Sequence, residues 1–364
     1  MDKRFLFVTI KIRFSSLFKY TTIESEVDRD YSRLSMNLVI EIIIIIILFM
    51  IFSYIILNKL YNVAINSRTD KSFVLNANKN QSPDSISRNH DEEIQWFKKY
   101  PKKDVYIESF DYLKLHAYRM ECDSKSSNWV IVSHGYFGNV EQLSHVIKNF
   151  IENDFNVLAI EARGHGKSSG DYIGLGWYDR IDILNWIKYL NDHIDNSNIV
   201  LYGISMGAAS TMMASGEELP KNVRCIIADC GYTSAYEEFS YQVKKLYKLP
   251  PFPILNIFDV FVKLKTGYSL KDVNVIKQLN KNQTPILFIQ GDQDTFVPSY
   301  MIEKLYNSTL VYKKKLIVKD AEHAESYYKN PVLYWDTVYN FIDEQINDTL
   351  KSGELHSKKL INWL

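Results

Sequence analysis

Asn198-Ile199-Val200-Leu201-Tyr202-Gly203-Ile204-Ser205-Met206-Gly207-Ala208-Ala209 is the stretch that decides how this chain folds. Ile199 to Tyr202 are β-branched, bulky or aromatic, as a core strand requires. Gly203 to Gly207 spell G-x-S-x-G, and Met206 to Ala214 is rich in helix formers and small residues. A strand, a sharp turn and a helix start together form the setting of a nucleophile elbow, which projects the serine hydroxyl from a strained backbone. The glycines take away Cβ atoms that would collide with the neighbouring strand and helix. The pentapeptide alone is a weak signal. Residues at the ends of the other strands decide whether Ser205 is a nucleophile.

Outward from this stretch, strand and helix patterns alternate from Trp96 onward. Val105-Tyr106-Ile107 and Leu113 to Tyr118 alternate apolar and polar residues about Phe110-Asp111, which predicts an antiparallel hairpin. Trp129 to Val132, Val157 to Ile160, Cys225 to Ala228, Ile286 to Ile289 and Leu316 to Val318 read as buried strands. Helices are predicted from about Val140 to Glu152, along the Trp177, Ile181, Leu184, Ile187, Leu190 face, and from Val332 to Ile346. The alternation implies an α/β fold, a mainly parallel sheet with helices on both faces and right-handed crossovers. In such sheets sites form at the carboxyl ends of the strands.

After Val132 comes Ser133-His134-Gly135-Tyr136. Acyl transfer needs two donors aimed at the developing oxyanion, and the N–H groups of Tyr136 and Met206 are the candidates. A glycine-containing turn with a structural histidine is the alternative. After Ile160 comes Glu161-Ala162-Arg163-Gly164-His165-Gly166-Lys167-Ser168-Ser169-Gly170. It fails as a Walker A motif, which needs Gly where Glu161 stands, and as a dinucleotide fingerprint, which needs Gly at Ser169. His165 is a rival base, but it precedes the serine in the chain. After Ala228, Ser234 and Glu237 form S-x-x-E, a capping-box signature. Residues 241–282 are an insertion, read as a small cap over the site or as ordinary packing against the core.

After Ile289 comes Gly291-Asp292-Gln293-Asp294, and after Val318 comes Lys319-Asp320-Ala321-Glu322-His323. A carboxylate at a strand end can orient a histidine and stabilise its imidazolium. A serine, an acid and a histidine, each after its own strand in the order Ser205, Asp294, His323, form a triad in the order this elbow's fold uses.

The composition sets bounds on the rest. Hydrophobic residues are 46% and charged residues 24%, as in a globular chain, and the formal net charge of +0 points away from nucleic acid. Cys122, Cys225 and Cys230 have no metal-ligand spacing and read as small core residues. No motif calls for a metal or cofactor. Residues 38–58 hold six consecutive isoleucines, Ile42 to Ile47, and suffice to span a bilayer. An uncleaved anchor is expected, since no A-x-A-like site follows. Lys and Arg tie across the span: Lys19, Arg29 and Arg33 against Lys59, Arg68 and Lys71. Lys3, Arg4, Lys11 and Arg13 tip the balance to a cytoplasmic segment at 1–37 and an extracytoplasmic domain. Met36, directly before the apolar run, is a candidate initiator. Residues 59–93 read as a polar linker, 94–347 as the catalytic domain and 348–364 as a tail.

Residues 96 to 346 resemble the α/β-hydrolase superfamily, and among its members the membrane-anchored bacterial cell-surface serine hydrolases, akin to prolyl-oligopeptidase-type and Bem46-like domains. The resemblance rests on His134-Gly135-Tyr136, Arg163-Gly164-His165-Gly166-Lys167-Ser168, Gly203-Ile204-Ser205-Met206-Gly207, Gly291-Asp292-Gln293-Asp294-Thr295-Phe296-Val297-Pro298 and His323-Ala324. It implies that the second Asp of G-D-x-D, Asp294, is the triad acid and that Asp292 is structural. The family usually has Asp where Glu161 stands. The expected function is a membrane-anchored serine hydrolase, a carboxylesterase on a small-molecule acyl substrate. A serine peptidase of the same fold and a non-catalytic binding module are the alternatives. Phe252, Ile254, Leu255, Ile257 and Phe258 are expected to wall a small acyl pocket.

Overall fold

A computed structural model of the protein describes residues 36–69 and 90–361, with side chains up to residue 347 apart from that of residue 90. The chain divides into two compact units, Met1–Lys59 and Leu60–Leu364. The described part of the first unit is a helix, α1 (Met36–Ala64), whose last turn belongs to the second. Its 29 residues span about 43 Å at 1.5 Å per residue, and its most apolar window has a mean hydropathy of 3.0. It is long and apolar enough to cross a membrane.

The second unit is built on eight strands: β1 (Lys103–Glu108), β2 (Lys114–Met120), β3 (Asn128–Ser133), β4 (Asn156–Ile160), β5 (Asn198–Ile204), β6 (Val223–Asp229), β7 (Ile286–Gly291) and β8 (Lys313–Val318). Their spatial order is β1-β2-β4-β3-β5-β6-β7-β8. The predicted hairpin forms β1 and β2, and β2 meets β4 antiparallel; β4 through β8 are parallel. The helices are α2 (His90–Lys99), α3 (Ser144–Glu152), α4 (Asp179–His193), α5 (Met206–Ala214), α6 (Ala235–Tyr247), α7 (Ile254–Thr266), α8 (Val275–Leu279), α9 (Tyr300–Ser308), α10 (Ser326–Lys329) and α11 (Pro331–Ile361).

Strands β3 to β7 are apolar on both faces because helices cover both, so alternation is lost and continuous runs of Val, Ile and Leu remain. The register aligns their carboxyl ends. Ser133 pairs with Gly203, Ile204 with Asp229, Asp229 with Ile289 and Gly291 with Val318. One row of loops therefore carries every segment singled out in the sequence after these strands.

Three boundaries differ from the sequence reading. The polar linker does not begin at residue 59. Ile65 is fully buried, Asn66 forms a bridge with Tyr172, and Ile173 N–H donates to Ile65 O at 2.8 Å. One buried isoleucine anchors a segment whose Asn and Ser content reads as a tether. The inserted segment cannot be cut at Tyr241, which lies inside α6; Ser234 caps that helix, its side chain accepting from Glu237 N–H at 3.1 Å. The last helix continues from Ile346 to Ile361, so the residues read as a tail are helical up to that point. Residues 1–35 and 70–89, on which most of the cytoplasmic-segment and remaining linker readings fall, lie outside the described residues.

Candidate active site

Ser205 stands between β5 and α5 with φ 56° and ψ −116°, a conformation that non-glycine residues rarely adopt. The surroundings impose it. A Cβ on Gly203 would lie 2.3 Å from Gly207 O, and one on Gly207 would lie 2.1 Å from Ser133 O. Strand and helix thus pass at backbone contact, which only glycine permits at these two positions. Ser205 N–H donates to Asp229 O at 2.8 Å, tying the turn to the end of β6.

The chain brings Ser205, His323 and Asp294 together from three loops. Ser205 Oγ lies 3.0 Å from His323 Nε2, and His323 Nδ1 lies 2.7 Å from Asp294 Oδ2. Asp294 is buried, and both of its oxygens are engaged. Oδ1 accepts from Phe296 N–H at 2.9 Å and Val297 N–H at 2.8 Å; Oδ2 also accepts from Gln290 Nε2 at 2.6 Å. Burial disfavours the His323 imidazolium, but the Asp294 carboxylate outweighs it and holds the His323 pKa well above its ordinary value. Asp292 turns elsewhere, accepting from Asp320 N–H at 2.7 Å and so joining the acid loop to the histidine loop.

Gly135 lies against the serine; a Cβ there would be 3.4 Å from that of Ser205. The next residue is Tyr136, whose hydroxyl donates to Ala64 O, so its ring is held while its amide belongs to the loop beside Ser205. Met206 opens α5, and the first amides of a helix have no acceptor within it. His134 is structural. Burial pushes its pKa down to about 3, its Nε2 accepts from Ala162 N–H at 3.1 Å, and Nδ1 faces Gly135 O at 2.8 Å. His165 spans Arg163 O and Tyr136 O, both at 3.0 Å, and buttresses the Tyr136 loop.

Glu161 shows how the longer acid is housed. Its Oε2 accepts from Lys167 N–H at 2.6 Å and meets His116 Nδ1 at 2.8 Å. The carboxylate lies over Gly166, where a Cβ would be 2.0 Å from Oε1. Arg163, fully buried, donates to both oxygens of Asp182 at 2.9 Å and to Asp111 Oδ2 at 2.9 Å, which anchors the same loop.

Sequence reasoning missed four neighbours of the site. Gln290 precedes the acid loop on β7, and a strand-end glutamine carries no pattern of its own. Cys230 places Sγ 4.0 Å from His323 Nε2; burial pushes that thiol up to about 11, so it is neutral there at pH 7. Asp229, fully buried and raised by that burial to about 7, accepts from Tyr334 OH at 2.9 Å. Glu238 on α6 is buried and raised by burial to about 8. Among the described residues, Cys230, Asp294 and His323 form the one group whose donor atoms, within 4.8 Å of one another, could hold a metal. Asp294 Oδ2 is already bonded to His323 Nδ1 and Gln290 Nε2.

The expected acyl wall needs correction. Leu255 and Phe258 are buried, but Phe252 is 73% exposed and Ile257 54%. Leu255 and Phe258 face inward on α7, Ile257 faces outward and Phe252 lies on the turn before the helix, so they do not form one wall. A groove of about 640 Å³ opens on α7 and is lined by Asp259, Val260, Lys263, Leu264, Gly267 and Ser269, none of them a triad residue. The inserted segment reaches the acid loop through α6, where Tyr241 OH donates to Thr295 O at 3.1 Å and Gln242 Nε2 to Phe296 O at 2.8 Å.

A serine elbow after β5, a buried acid after β7 and a histidine after β8 of this sheet define an α/β hydrolase. A model of the α/β-hydrolase fold matches residues 128–252. The Bacillus subtilis (strain 168) protein YqkD is 31% identical over 223 residues, which is 61% of this chain and 73% of YqkD. The Pyrococcus furiosus esterase Pf2001 aligns with a TM-score of 0.55 at 26% identity, covering 70% of this chain and 93% of the esterase. The Saccharomyces cerevisiae membrane protein YNL320W is 22% identical over 249 residues, 67% of this chain and 81% of that one. The chain belongs to the α/β-hydrolase superfamily.

Proposed function

We propose that the protein is a membrane-anchored serine hydrolase, a carboxylesterase acting on small acyl esters. The observation that carries the reading is the continuous path Ser205 Oγ, His323, Asp294, with separations of 3.0 Å and 2.7 Å. His323 Nε2 takes the proton as Ser205 Oγ attacks the carbonyl carbon. The N–H groups of Tyr136 and Met206 receive the developing oxyanion. His323 then returns the proton to the leaving alkoxide, and water releases the acyl group by the same steps in reverse. Asp294 holds the ring and its charge.

Two points favour ester over amide. An alkoxide asks less of His323 as a general acid than an amine does, and Pf2001, similar over most of its length, is an esterase. Phe296 sets its ring 4.9 Å from that of His323 and shields the acid side of the triad. α1 supplies the anchor. The cationic residues before it, Lys3 and Arg4 among them, favour an extracytoplasmic domain; protease added to intact cells then releases the domain, and release only after lysis reverses the topology.

The decisive experiment is labelling with a fluorophosphonate followed by kcat/KM on matched ester and amide substrates. Ser205→Ala is expected to lose the label and about 10⁵-fold or more in kcat while keeping its Tm. Persistent labelling removes Ser205 from the mechanism, and equal efficiency on peptide amides moves the assignment to a peptidase.

A further inference from the structure

Helix α7 is apolar on two sides. Leu255, Phe258 and Val262 face the core, as the inner stripe of a surface helix should. Ile257, Val260 and Leu264, spaced i, i+3, i+7, form a second stripe that is 54%, 59% and 81% exposed. Phe252 extends it on the preceding turn. The ordinary outer face of such a helix is polar. From Tyr241 to Lys271 the charges are six lysines, Lys244, Lys245, Lys248, Lys263, Lys265 and Lys271, against one acid, Asp259, which is buried. In a chain of zero net charge this is a local concentration of cations in the segment that carries the exposed apolar stripe.

The position of this face in the chain says what it meets. Within the hydrolase body, the Tyr61 ring packs edge-on against Phe261 of α7 at 6.1 Å, and Lys265 Nζ stands 6.0 Å over the same Tyr61 ring. Tyr61 is in α1, four residues past Leu57, the end of the apolar run. Four helical residues cover about 6 Å, less than the depth of a headgroup layer. If α1 crosses a bilayer, covalent continuity keeps the helix that touches Tyr61 at the bilayer surface. A basic amphipathic face with aromatic and aliphatic residues is the kind that lies in that layer.

We infer that the outer face of α7 is a membrane-docking surface, with Phe252, Ile257, Val260 and Leu264 entering the acyl boundary and the surrounding lysines meeting anionic lipid phosphates. The inference rests on the anchor reading above. A second copy of the chain is the poorer occupant, because a two-fold contact would set the lysine-rich patch against itself.

The full chain tests this. Its three native cysteines are buried, so an environment-sensitive thiol probe can be placed at Val260→Cys, Leu264→Cys, Leu310→Cys and Ile47→Cys. Leu310 is 92% exposed and lies outside this face. Each variant is reconstituted in vesicles of phosphatidylcholine and phosphatidylglycerol, with and without nitroxide-labelled lipid. The expected result is quenching of about two-fold or more at residues 260, 264 and 47 and none at 310. Quenching at 47 with 260 and 264 behaving like 310 overturns the docking surface and leaves the anchor standing. Loss of quenching at 47 overturns the anchor and the docking surface with it. A probe at 264 that is dry, unquenched by lipid and becomes wet on dilution overturns it in favour of a contact between copies.

Discussion

The serine turn and helix α7 are both dominated by apolar side chains, yet these end in opposite places. Around Ser205 every side chain from Ile199 to Ala214 is buried, and two glycines stand where a single Cβ would meet backbone within 2.3 Å. On α7, half of the apolar residues face outward. The turn has one solution because backbone atoms on all sides exclude others. The helix has two apolar stripes, and only the tertiary arrangement decides which is covered. Steric exclusion makes a segment's structure readable, and hydrophobicity alone does not.

The contrast can be broken first at the acid loop, where the largest effect is expected. Asp294→Asn leaves His323 in the wrong tautomer and should cost on the order of 10⁴-fold in kcat/KM. Asp292→Asn keeps an acceptor for Asp320 N–H and should cost less than about ten-fold. The pH profile sharpens the point. The proposed mechanism needs a neutral His323, so activity is expected to fall as pH drops through a pKa that Asp294 holds above the free-histidine value. The acid limb of kcat/KM should therefore lie above about pH 6.5, and the residual activity of Asp294→Asn should show it displaced downward. Equal losses in the two variants would mean that Asp292 is the working acid.

Substitutions on the two sides of α7 measure its two faces. Phe258→Ala, opening a cavity at a buried position, should cost about 3–5 kcal/mol, while Leu264→Ser at an exposed position should change stability by less than about 0.5 kcal/mol in detergent. Matching losses in chemical denaturation would show that the outer stripe is packed. At the turn, Gly207→Ala forces a methyl into Ser133 O and should cost about 3 kcal/mol; a silent substitution there would undo the argument from exclusion.

The smallest effect is expected at the seam between the two regions. Burial raises Glu238 to about 8 from 4.5, so the folded state favours its neutral form. Stability attributable to this group is present below the unfolded pKa, is lost as pH rises between the two values, and stays lost above about 8. Glu238→Gln should then be more stable than the parent by about 1–2 kcal/mol at about pH 9 and indistinguishable near pH 4. A pH-independent difference in Tm would place the Glu238 carboxylate in contact with water.

Much of the site was legible because its demands are local. The elbow's glycines, the strand runs and the order Ser205, Asp294, His323 each leave marks within a few residues. What escaped depends on contacts across the fold. Gln290 matters through one hydrogen bond to Asp294, Cys230 through the loop that brings His323 beside it, and Ile65 through a pocket on the hydrolase body that no nearby residue announces. The inner and outer faces of α7 were confused for the same reason, since its periodicity fits burial on either side.

The Glu161–Gly166 contact has a consequence for how this loop can change over time. The Glu161 carboxylate occupies the volume that a side chain at residue 166 would need, and its bonds to His116 and Lys167 prevent it from swinging away. Substitutions at the two positions are therefore epistatic and ordered. Shortening residue 161 to aspartate first opens the space and leaves only the positive-φ strain at 166 to be met; the reverse order passes through a clash. A lineage that acquired the longer acid is committed to glycine at 166 until that acid is lost.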